Sequence, residues 1–131
     1  MNALDPMSLD ELLFFDGKPA ALALYERLRE AILSSVGAER IEVKRTQISF
    51  FNRHMFAAVS FLPVRPARER PAAFITLTVG LRYRSDSSRV DAAAEARPGR
   101  WTHHALISRP EDIDESLLAL VAESAAAAGG R

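Results

Sequence analysis

The 131-residue sequence contains no cysteine. That excludes disulfides, thiolate metal sites and cysteine catalysis. It also lacks a glycine-rich phosphate loop. Neither Gly-x-Gly-x-x-Gly nor Walker-type spacing occurs, so nothing supports a dinucleotide or ATP enzyme of the usual kinds. No apolar run approaches the ~20 residues of a membrane-spanning helix. The opening "MNALDPMSLDELLFF" has acids before its short apolar cluster and no basic start, unlike a secretory signal. These absences predict a soluble, cytoplasmic protein without a membrane partner. Lysine occurs only at Lys18 and Lys44, and tryptophan only at Trp101.

What remains is an ordinary globular composition, 48% hydrophobic and 26% charged, enough for one core without metal or disulfide support. No repeat and no second domain is visible. The chain reads as a single domain over 1–131, with fraying expected at 1–7 and 126–131. The charge is balanced overall but unevenly placed. Residues 1–39 hold three basic and seven acidic groups, residues 40–109 thirteen and five, and residues 110–131 one and five. Two acidic ends therefore flank a basic middle. The plain explanation is acidic helices lying beside a basic sheet; the functional one is an anion-binding surface.

Ser8 followed by Glu11 is a capping-box pattern, predicting a short helix over about 8–15. Pro19 suits the first turn of a second, longer helix that Gly37 ends. Its apolar face is Ala21, Leu24, Tyr25, Leu28, Ile32 and Val36. The period then changes to two. "RIEVKRTQISFF" reads as one strand and "MFAAVSFLP" as its antiparallel partner across an "NRH" turn. "VRPARERP" is a loop. "AAFITLTVGLRYR" is the clearest strand, with Gly80 marking a bulge or a close backbone approach. "DAAAEARPGR" is either a weak edge strand or a loop, ending in the turn signal Pro98-Gly99. "WTHHALIS" is the last strand, and the chain closes in a helix starting at Pro110 with an acidic first turn. The predicted class is α+β: an antiparallel sheet of about four to five strands, with the N- and C-terminal helices packed on one face.

Four stretches, "LYERLREAI", "VKRTQISFFNRHMFAAVSF", "LTVGLRYRSDSSRV" and "GRWTHHALISRPEDIDESLLALV", together resemble a family known as domain of unknown function 5655. The resemblance covers about residues 14–124. It rests on the spacing of Lys44, Thr46, Ile48 and Phe50, on the histidine pair after an aromatic, and on the "PEDID" helix start. It implies a small intracellular domain that occurs alone or fused to others. Some relatives carry a transport-related description, but the resemblance brings no catalytic residue, so none is assigned.

Two constellations stand out. His103 and His104 are adjacent on a strand, so alternation sends them to opposite faces. That geometry does not bring them to one metal ion, and no metal-type spacing links them to His54, Asp86, Asp91 or Glu95. No metal and no cofactor is implied. The second is the basic and aromatic set Arg45, Arg82, Tyr83, Arg84, Arg89, Arg100 and Trp101. Arginine forks recognise phosphate or carboxylate, and an aromatic ring can stack a planar ligand. "RYRSDSSR" offers serines, but without a nucleophile elbow it reads as a hydrogen-bonded turn.

The leading expectation is a non-catalytic binding module. Its basic sheet face, with His103 or His104 alongside, would take an anionic small molecule or nucleic acid. One alternative is a small enzyme using His103 or His104 as acid/base, oriented by Asp86 or Glu95. Another is a homodimer formed through an exposed sheet edge.

Overall fold

The computed structural model describes Asn2 and residues 5–129. Part of the expected terminal fraying falls on Met1, Ala3, Leu4, Gly130 and Arg131, outside the described residues. The chain begins with α1 (Leu9–Phe14) and α2 (Pro19–Ser35). Ser8 caps α1 as its spacing implies. Its hydroxyl accepts from the Glu11 N–H, and the Glu11 carboxylate accepts from the Ser8 N–H. Glu11 then turns inward, where it accepts hydrogen bonds from the Tyr25 hydroxyl and from Arg29 Nε. Arg29 also donates to the carbonyls of Asp5 and Pro6. One buried carboxylate thus ties the N-terminal segment to α2.

Six strands follow, and the expectation of four to five is corrected. They are β1 (Arg40–Val43), β2 (Ile48–Phe51), β3 (Met55–Ser60), β4 (Ile75–Leu81), β5 (Ala92–Arg97) and β6 (Arg100–Ile107). The sheet is antiparallel throughout, in the order β1-β2-β3-β4-β6-β5. The expected single strand "RIEVKRTQISFF" is a hairpin. Its polar run, Lys44 to Gln47, has no apolar side chain to hold against a core, and it reverses the chain so that Val43 faces Ile48. The "DAAAEARPGR" segment supplies the sixth strand. It pairs with β6 across the Pro98-Gly99 turn, where Gly99 takes a φ of +72°.

The expected closing helix also divides. Pro110–Asp112 forms a separate short 3-10 turn, because Asp112 accepts from the Ser108 and Arg109 N–H groups. The helix proper, α3 (Glu115–Ala127), starts at Asp114, whose carboxylate accepts from the Leu117 N–H at 3.0 Å. Arg89 pairs with the same carboxylate.

One hydrophobic cluster joins α2 and α3 to the sheet. Leu28, Ile32, Leu117 and Val121 pack with Ile48, Phe50, Val59, Leu77, Val79 and Ile107. Register places the alternate residues Ser49, Thr76, Thr78, Thr102 and His104 on the opposite face, which is covered at Ser49 and Thr76 and opens at Thr78, Thr102 and His104. The connection from β3 to β4 is pinned to this side. Thr76 donates to the Leu62 carbonyl at 2.7 Å, and Arg65 pairs with Asp91.

Candidate functional site

Between β3 and β4 the ladder stops short. Ala57 faces Val79, and the next rung would join Phe56 to Gly80. Phe56 is the extra residue of a bulge against β2, where the register shifts between Phe50 and Phe51. The missing rung is filled from α3. Ser124 Oγ accepts from the Gly80 N–H at 3.0 Å and donates to the Phe56 carbonyl at 2.6 Å. A hydroxyl therefore separates two strands that would otherwise bond directly.

A cleft of about 260 Å³ opens over this gap. Its open-face wall includes Gln47, Ala58, Thr78, Gly80 and Thr102, and its floor is Ser124 and Ala127 of α3 with Ala128 just after it. Gly80 has no positive φ, so its backbone does not demand glycine. A Cβ there would meet nothing nearer than the Trp101 carbonyl at 4.0 Å. The expected bulge or close backbone approach at Gly80 is absent. What its missing side chain leaves is space.

Arg100 stands in the cleft wall. It is exposed and, among the described residues, makes no ion pair or side-chain hydrogen bond. Trp101 also lines the cleft. These two are the members of the basic and aromatic set that the structure brings together there. Arg45 lies in the β1–β2 turn. Arg82 donates to the Ala127 carbonyl, and the Tyr83 hydroxyl donates to Glu123. Arg84 sits over the Trp101 ring at 6.0 Å, and Arg89 is held by Asp114. A second hollow of about 350 Å³ lies under the 84–93 segment, but there Arg84 shares the walls with Asp86 and Asp91. Mixed charge makes it a poorer anion site than the Arg100 cleft.

The histidines divide as alternation requires. His103 faces Val79 on the helix side and is 1% exposed. Its Nε2 accepts from the Ser85 N–H at 2.9 Å, while its Nδ1 is buried without a hydrogen-bond partner. Burial holds its pKa below the usual imidazole value, and the Arg84 charge acts the same way. His104 looks to the open face, its Nδ1 at 2.8 Å from Thr78 Oγ1. Burial and then the nearness of His103 lower its pKa too. Both rings are therefore biased towards the neutral form. Neither is hydrogen-bonded to Asp86 or Glu95; Glu95 accepts instead from the Gly99 N–H. No group of three His, Asp or Glu side chains able to hold a metal occurs among the described residues.

Gln47 and Ser124 escaped the sequence reading. Ser124 had a signal. It continues the buried α3 stripe of Leu117, Leu120 and Val121 as a lone polar residue.

An α+β domain with a small cleft between sheet and C-terminal helix is the class these features define. The family model described as a domain of unknown function (DUF5655) matches residues 13–125, and the chain belongs to that family. No curated protein and no solved structure matches it. None of the described helices is long and apolar enough to cross a membrane.

Proposed function

We propose that this domain is a non-catalytic binding module for a small anionic molecule held in the cleft between β3, β4 and β6. The observation that carries the reading is Arg100, an unpaired guanidinium in the wall of a cleft that otherwise carries no charged side chain. A free fork of donors recognises a carboxylate or phosphate, and a concave, largely apolar wall supplies the remaining contact. The cleft is smaller than the roughly 300–1,000 Å³ of drug-sized sites, which favours a small metabolite-sized acid. Nucleic acid is the weaker reading. Phosphate-backbone binding needs several cations on one surface, and Arg45, Arg82, Arg84 and Arg89 do not line this cleft.

The test is calorimetric titration of the wild type and Arg100→Gln with a panel of small carboxylates and inorganic phosphate. Losing a charge-assisted hydrogen bond should weaken binding about ten- to a hundredfold. A panel that binds both proteins equally would remove Arg100, and this reading, from consideration.

A further inference from the structure

The proposed anion site accounts for Arg100 but not for the gap beside Gly80. Three observations bear on that gap. The rung between Phe56 and Gly80 is opened by Ser124 rather than closed by a direct bond. Past Arg100 the lining is mostly apolar or small, with Ala58, Gly80, Ala127 and Ala128, and its polar members besides Ser124 are Gln47, Thr78 and Thr102. The polar atoms at the bottom already satisfy one another, because Ser124 Oγ uses the Gly80 donor and the Phe56 acceptor. A polar group reaching that bottom would gain no partner from Ser124, whereas a hydrocarbon would lose nothing there; the Thr78 and Thr102 hydroxyls stand in the wall above.

We infer that the slot beside Gly80 takes the unbranched hydrocarbon tail of a carboxylate ligand, and that Gly80 sets how deep the tail goes. This rests on the binding-module reading above and names its ligand class: straight-chain carboxylic acids, with the carboxylate on Arg100 and the chain running past Gly80 towards Ala127 and Ala128. Ser124 is a positioning residue. Its hydroxyl holds β3 and β4 apart without offering the ligand a bond. Gly80 is the specificity residue. A larger side chain on the open face would occupy the slot, and the strand tolerates one because the backbone conformation is ordinary and the space is empty.

The experiment is a homologous series, butanoate, hexanoate, octanoate and decanoate, titrated into the wild type, Gly80→Ala and Gly80→Val. Each methylene that leaves water should raise wild-type affinity about fourfold, until the chain reaches the α3 floor and the gain stops. Gly80→Ala should bring that stop to a shorter chain, and Gly80→Val should abolish the length dependence while retaining butanoate binding. Circular dichroism and thermal melts establish that the variants are folded. Arg100-dependent carboxylate binding without length dependence in the wild type would overturn the slot and leave the anion site standing. The same length dependence in Gly80→Val would place the tail elsewhere and also overturn it. A wild type that binds none of the series would overturn the slot, and the phosphate arm of the earlier panel then decides the anion site separately.

Discussion

The Glu11 carboxylate lies between the Tyr25 hydroxyl and the Arg29 guanidinium, with the Glu11 and Arg29 side chains 3% and 5% exposed. Burial alone would push its pKa up. The hydrogen bonds from Tyr25, the Ser8 N–H and Arg29 outweigh that and hold it below the usual carboxylate value. The exposed pair Arg40–Glu42 is worth little by comparison, because water competes at both ends. Removing one member of the buried pair strands the other. Glu11→Ala is expected to cost about 3–5 kcal/mol of folding stability, measured by urea denaturation. Replacing Glu11 and Arg29 together with leucine and methionine should cost much less. A double loss equal to the sum of the Glu11→Leu and Arg29→Met losses would show that the pair is not coupled. This latch was only half legible. The capping box located Glu11, but Leu9, Leu12 and Leu13 share a stripe that ordinarily marks the buried side. They are 69%, 41% and 58% exposed, and the acid points inward instead. Nothing local to α1 announces an arginine eighteen residues on.

β6 does two jobs, and its alternation separates them. Thr102 lines the cleft beside Gly80, while His103 secures the loop after β4 through the Ser85 N–H. Protonating Nε2 would set donor against donor there. The folded state therefore prefers the neutral ring. The unfolded chain takes up a proton near pH 6.5, so between that pH and the lowered folded value it binds more protons than the fold. Stability is then highest above about pH 6.5 and falls as the pH drops below it. The wild-type Tm should decrease from pH 7.5 to 5.5, and His103→Gln, which keeps an acceptor for Ser85, should decrease less. Identical pH profiles would assign the acid sensitivity to other groups, His104 first. The sequence foretold that the two histidines would part company. Alternation alone leaves open which one faces inward, although Trp101, Ala105 and Ile107 beside His103 are all apolar while Thr102, Leu106 and Ser108 beside His104 are mixed. The hairpin within "RIEVKRTQISFF" did leave a trace: the apolar positions change phase, from Ile41 and Val43 to Ile48 and Phe50, across the polar run Lys44 to Gln47.

At the scale of the whole molecule, several arginines of the sequence's basic middle already have partners. Asp91 holds Arg65, Asp114 holds Arg89, and the Ala127 carbonyl accepts from Arg82. Composition counts charges but does not say which are already paired. The class of fold was legible because periodicity is a property of each segment. The cleft was not, because it depends on a bulge at Phe56, a serine on α3 and a glycine on β4 meeting across sixty-eight residues of chain. Entry of a ligand into that cleft is the central claim. The most direct measurement is an amide chemical-shift map of the labelled protein during titration with octanoate. The account predicts the largest shifts at Thr78, Gly80, Arg100 and Thr102, with smaller ones at Ala127 and Ala128, and their loss in Arg100→Gln. Shifts centred on another surface, or none at saturating octanoate, would contradict it.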